Sequence, residues 1–150
     1  MKDKPELFLD TNILIYATLE QDPRFFVAQK LLLNLDNKYS CLYISTQNLS
    51  DMYPNLTGLK MTKPDNPKLA GEKIRAIASL PHIRVLPVTI NVIHLALELS
   101  EKYNVNRQYY FDIQLVATML IHNISLLASE NEKDFQRIKE IDVFNPFFKQ

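Results

Sequence analysis

The sequence predicts an α/β fold of three layers, α/β/α, around a parallel sheet of about five strands. Three observations lead there. Five short strand candidates alternate with segments of helical periodicity, the pattern of a parallel sheet covered on both faces. The segment IQLVATMLI at 113–121 is apolar almost all round, as a helix central to such a fold would be. A length of 150 residues, 47% hydrophobic and 23% charged, fits one globular domain over 1–150, with roughly two thirds of its unfolded surface buried.

The elements follow in order. LFL at 7–9 is too short for a helix and reads as a buried strand, after which Thr11 or Asn12 starts the helix NILIYATLE. A second helix is expected between Pro23 and Asp36, with Phe25, Ala28, Leu32 and Leu35 at helical spacing. Phe26, Val27, Leu31 and Leu33 are apolar as well, so this helix carries one apolar face more than a core needs. CLYIS at 41–45 is the second strand, followed by the helix TQNLSDMY, which Pro54 should kink or end. The segment 58–68, with Gly58, Pro64 and Pro67, reads as a loop before a helix over 69–80. IRVLPV at 83–88 is the third strand, and Thr89 caps a helix over 90–103. SLLAS at 125–129 is the fourth strand, EKDFQRI a short helix, and IDVFNP at 141–146 the fifth strand. No internal repeat or low-complexity tract interrupts the order.

Seventeen basic and seventeen acidic side chains give no global basic field of the kind that advertises a nucleic-acid partner. Polyanion binding would need a local patch or bound cations. The single cysteine, Cys41, cannot form an internal disulfide, and the charged start MKDKPELF lacks the apolar core of a signal peptide. No apolar run approaches the ~18 residues of a membrane span. A cytoplasmic location is the expectation.

The acids carry the chemistry. In an open parallel sheet the ligand crevice lies outside the carboxyl ends of the strands. Asp10 ends the first strand, Asp51 lies in the first turns of the helix after the second, Asp112 heads the apolar helix, and Asp134 follows the fourth strand. Each also has a purely structural reading: an Asx turn or helix cap for Asp10, the N-cap for Asp112, solvated helix-surface charge for Asp51 and Asp134. Their shared edge favours a common role. Carboxylates gathered in one crevice repel and gain proton affinity unless a cation neutralises them, and oxygen donors of this kind suit Mg²⁺ or Mn²⁺. Sites of one or two such ions cleave phosphodiesters.

Four stretches resemble the PIN domain family and, within it, the VapC-like ribonuclease toxins of prokaryotic toxin–antitoxin pairs: FLDTNILIYA, ISTQNLSDMY, YYFDIQLVATML, and LLASENEKDFQRI with IDVFNP. The resemblance implies catalytic roles for Asp10, Asp51, Asp112 and Asp134, metal binding by Asp10 and Asp112, and supporting places for Thr11, Asn12, Ser129 and Asn131. It implies a metal-dependent endoribonuclease held inactive by a cognate antitoxin, commonly as a homodimer. The chain departs from the family pattern at Asp51, where Glu is usual, and at Asn131, where many members carry Asp.

Asn12 and Ser129 flank the expected crevice and could hold Asp10 or a water by hydrogen bonds, or could simply cap a helix or turn. His82, His94 and His122 have no metal-ligand spacing, and Cys41 reads as a small core residue. Lys60, Lys63, Lys68, Lys73 and Arg75 form the best local candidate for contact with an RNA backbone, with a solvated loop and helix face as the alternative. Tyr109, Tyr110 and Phe111 could stack on bases, though aromatic residues leading into a buried helix are more often core. The competing functions are a catalytically weak PIN-like scaffold that binds protein or RNA, and a phosphatase with Asp10 as nucleophile. The second is disfavoured by Asn12, where that chemistry expects another acid.

Overall fold

The computed structural model describes residues 3–148. Its five strands are β1 (Glu6–Leu9), β2 (Cys41–Ser45), β3 (Ile83–Leu86), β4 (Leu126–Ala128) and β5 (Asp142–Phe144). The helices are α1 (Thr11–Tyr16), α2 (Phe25–Leu32), α3 (Thr46–Leu56), α4 (Pro67–Ala78), α5 (Ile90–Lys102), α6 (Tyr110–Ile121) and α7 (Glu132–Phe135), and a 3₁₀ turn at Arg107–Tyr109 leads into α6. All strand pairings are parallel, in the order β3-β2-β1-β4-β5, so β1 is central.

Strand alternation sorts the two faces. Leu7 and Leu9 of β1 pack with α1, α2, α3 and α4, while Phe8 points the other way into a core with α5 and α6. Neighbouring strands follow suit: Leu42 and Ile44 join the first core, Leu127 the second. Helix α6 buries Ile113 and five consecutive residues, Leu115 to Met119, which is why its sequence is apolar nearly all round. This is the expected three-layer α/β/α arrangement, with two cores separated by one sheet.

With only two glycines, the chain ends three of its helices, α2, α5 and α6, on asparagine. Asn34, Asn104 and Asn123 all have φ between 50° and 58°, the left-handed conformation that Asn tolerates best after Gly. After each, the next amide reaches back to a carbonyl of the last helical turn, as in Leu35 N–H to the Lys30 carbonyl at 3.0 Å. Helix α2 therefore stops at Leu32 instead of running to residue 36.

Other boundaries move for local reasons. Helix α1 ends at Tyr16, not 20, because the Thr18 amide and hydroxyl both bond to the Ile15 carbonyl and turn the chain. Pro54 does not end α3, which continues to Leu56. The carbonyl that Pro54 leaves without a donor belongs to exposed Ser50, where water can serve it, and burial of Met52 and Leu56 draws in the last turn. Helix α4 starts at Pro67, inside the segment expected to be loop, because the Asn66 side chain caps the Leu69 amide at 2.8 Å. Tyr109 and Phe111, expected in the core, are 54% and 55% exposed, and Cys41 is only half-buried.

Candidate functional site

The central strand delivers Asp10 to the carboxyl edge of the sheet. Chain order runs from β1 outward to β2 and β3 on one side, then returns to β4 and β5 on the other, so β1 and β4 flank the topological switch point. Asp10 N–H is fixed there by the Ala128 carbonyl at 3.0 Å. Its side chain is the N-cap of α1: Oδ1 accepts from Thr11 N–H at 2.7 Å, so the cap reading is correct as far as it goes. The other oxygen, Oδ2, accepts from the buried Ser129 hydroxyl at 2.6 Å and from Asn12 Nδ2 at 3.4 Å. Asn131 N–H donates in turn to Ser129 Oγ at 3.0 Å, and Glu130 N–H to Asn12 Oδ1 at 3.2 Å. Thr11, Asn12, Ser129 and Asn131 thus lie within one hydrogen-bonded cradle around Asp10.

A second network fixes α3 against this cradle. Ser45 and Asn48 form a capping box at the start of α3, and Asn48 Nδ2 donates to Thr11 Oγ1 at 3.0 Å. From the same turn Gln47 Nε2 donates to the Phe111 carbonyl at 2.8 Å and accepts at Oε1 from Gln114 at 2.8 Å. The first turn of α6 is thereby tied to α3. Asp112 lies within that first turn and not at the N-cap, because the helix begins two residues earlier, at Tyr110.

Burial and neighbouring charge raise three of these acids, Asp10, Asp51 and Asp112. Burial pushes the Asp112 carboxyl up to about 7, and the charges of Asp10, Asp134 and Asp51 add to the rise. Burial also raises Asp10, opposed by the hydrogen bonds from Ser129 and Thr11 and reinforced by Asp134. Asp51, in the second turn of α3, keeps an exposed surface yet is raised by desolvation and by Asp10. Asp134 is exposed on α7, and Asn131 is exposed with no capping bond from its side chain. Among the described residues, no three His, Cys, Asp or Glu side chains stand in an arrangement that could hold a metal ion as placed. The donor chemistry nevertheless fits a hard divalent cation: carboxylate and hydroxyl oxygens, with mutual repulsion that a cation would relieve.

A family model described as the PIN domain matches residues 7–141. The chain belongs to the PIN domain family. Among solved structures, it is similar to VapBC-1 from nontypeable Haemophilus influenzae at 17% identity and TM-score 0.66, over 95% of this chain and 99% of that one. It is also similar to VapBC2 from Rickettsia felis bound to a promoter DNA fragment, at 19% identity and TM-score 0.64, over 93% and 98%. Mycobacterium tuberculosis VapC20, a sarcin-ricin loop cleaving toxin, is similar at 19% identity and TM-score 0.59, over 81% and 86%. No curated protein matches the chain.

Beside the acids of this PIN domain runs a groove of about 870 Å³, between the α1–α2 loop and the α3–α4 loop. Asn12 and Tyr16 line it on the Asp10 side, and Lys60, Lys63 and Lys73 on the other. The proposed basic cluster divides here. Lys60 and Lys63 are exposed; Lys73 is paired with Asp65 at 2.9 Å; Lys68 and Arg75 do not line the groove. Asn48, Gln114, Tyr16, Arg24 and Glu130 also support the site, though the sequence does not single them out. The Ser45 to Asn48 spacing is a capping signal that could have found Asn48; the others act through contacts as distant as Tyr16 to Glu130, which no local pattern encodes.

Proposed function

We propose that this PIN domain is a metal-dependent endoribonuclease and the toxin of a VapBC-type toxin–antitoxin pair. The observation that carries the reading is the buried carboxyl of Asp112, raised first by desolvation and then by the charges of Asp10, Asp134 and Asp51. Mg²⁺ or Mn²⁺ bound by Asp10 and Asp112 would activate water and neutralise charge at an RNA phosphodiester. Ser129 and Thr11 keep Asp10 oriented, each spending one bond on a different carboxylate oxygen. Burial and the neighbouring acids raise the Asp112 carboxyl to about 7, and a bound divalent cation would favour its charged form. Asp51, one methylene shorter than the Glu usual in the family, and Asp134 add negative charge at the rim. Lys60 and Lys63 hold the RNA backbone in the groove.

The solved structures that the chain is similar to include a toxin–antitoxin complex and a sarcin-ricin loop cleaving toxin, which supports both halves of the reading. Exposed Phe26, Val27, Leu33 and Leu35 on and after α2 offer an apolar surface for an antitoxin or a second copy of the chain. Among the described residues no helix is long and apolar enough to cross a membrane; a cytoplasmic site of action is part of the proposal. The binding-module reading draws on one observation, the lack of a ready-made metal-holding group. Cleavage of structured and single-stranded RNA by wild type and Asp10→Asn, with Mg²⁺, with Mn²⁺ and with chelator, separates the two. Metal-dependent cutting that Asp10→Asn abolishes is the expected result. Equal cutting by both proteins, or none with any metal, would leave the binding module.

A further inference from the structure

The loop after β4 is held from outside the acid cluster by Arg24 and Tyr16, which both bond to its Glu130. Arg24, at the N-terminus of α2, donates through Nη1 to Glu130 Oε2 and to the Tyr16 hydroxyl, both at 2.7 Å. Its guanidinium carbon lies 3.7 Å from the centre of the Tyr16 ring. Tyr16 donates its hydroxyl to Glu130 Oε1 at 2.5 Å, so both oxygens of Glu130 are taken. Asp22 accepts from Arg24 Nε and Nη2 at 2.8 Å each and sets the plane of the guanidinium. Burial and the Glu130 carboxylate push the Tyr16 hydroxyl above its ordinary range, keeping it a donor.

Glu130 sits between the two residues that complete the Asp10 cradle. Ser129 on one side donates to Asp10 Oδ2; Asn131 on the other donates its amide to Ser129 Oγ. The Glu130 backbone is itself tied down, its N–H to Asn12 Oδ1 and its carbonyl to Asn145 Nδ2 at 3.3 Å. Glu130 is therefore the point at which forces on the loop reach Asp10.

We propose that Arg24, Tyr16 and Glu130 are positioning residues, a clasp that locks the β4–α7 loop so that Ser129 holds Asp10 in the orientation needed for divalent-cation binding. The idea rests on the proposed metal-dependent function. It differs from a merely stabilising ion pair in what it predicts: the two charged partners act on metal affinity through one structural unit. An ion pair about one-third exposed contributes little to stability by itself, so the variants that remove it are expected to fold. Lysine cannot replace Arg24, since one ammonium cannot bond Asp22 twice, stack on Tyr16 and reach Glu130 together.

The test is Mn²⁺ titration calorimetry on wild type, Arg24→Ala, Arg24→Lys, Glu130→Gln and the Arg24→Ala/Glu130→Gln double variant, each checked for native circular dichroism. Amide exchange of Glu130 and Asn131 is measured in chelator and again with Mn²⁺. Each single variant is expected to bind Mn²⁺ about tenfold more weakly, Arg24→Lys no better than Arg24→Ala, and the double variant no worse than the singles. The two amides should exchange faster in every variant, with or without metal. Wild-type Mn²⁺ affinity in the folded single variants, additive losses, or unchanged amide exchange would each overturn the clasp. If wild type binds no Mn²⁺, the metal-dependent function fails instead, and amide exchange still decides whether Arg24 holds the loop.

Discussion

Replacing Asp112 with Asn removes the carboxyl that the other acids disturb most, and it should stabilise the metal-free protein in a pH-dependent way. In the folded chain this carboxyl titrates near 7 against an ordinary value of 3.8. A carboxyl raised in the folded state binds its proton more tightly there than in the unfolded chain. Its ionisation therefore destabilises the fold progressively as pH rises from about 4 to about 7, and the penalty is complete above that. Raising the carboxyl from 3.8 to about 7 corresponds to about 4 kcal/mol at full value. Asp112 is only half-buried and part of the repulsion is screened, so about 1–2 kcal/mol is the realistic gain for Asp112→Asn at pH 8. For a chain of this length that is roughly 3–6 °C in Tm. Near pH 5 the penalty has developed only about a third of the way, so the gain should shrink in proportion. Thermal unfolding followed by circular dichroism in chelator, at pH 5 and pH 8, measures both numbers. A variant no more stable than wild type at pH 8, or one with the same gain at both pH values, would refute the burial of Asp112 among neighbouring acids.

Two other outcomes follow from the site. Ser129→Ala deletes a buried hydroxyl that serves Asp10 and Asn131 together, and should lower stability by about 1–3 kcal/mol in urea unfolding; no loss would mean that water replaces the hydroxyl. Lys60→Ala with Lys63→Ala should weaken single-stranded RNA binding and flatten its log–log salt dependence by roughly 1–2, read by fluorescence anisotropy on a catalytically dead background, while an unchanged slope would remove the groove from the RNA path.

The layers of this fold were legible because their signals are local. A five-residue run such as CLYIS declares a strand, and an unbroken apolar face over 113–121 declares a helix buried beneath a sheet. Asp10 was legible for the same reason: it stands where an apolar strand stops and a capped helix starts. Less visible was how the acids meet. Asp112 depends on Gln47 reaching across to the Phe111 carbonyl, a contact 64 positions apart in sequence. The Arg24 clasp joins residues more than a hundred positions apart. Helix ends shifted for another reason, since Asn at positive φ does the work usually read from Gly, and a sequence with two glycines hides its stops. Tyr109 and Phe111 stayed outside because the turn that enters α6 lies at the surface, even though the helix it begins does not.

The proposed function requires that these four carboxylates act as a single cation-binding unit. Calorimetric titration of Mn²⁺ into wild type and Asp112→Asn at pH 7.5, repeated in buffers of different ionisation enthalpy, tests that directly. Saturable binding by wild type with release of a fraction of a proton, and loss of both heat and proton release in Asp112→Asn, is the predicted result. Identical titrations for the two proteins, or no binding to wild type, would contradict it.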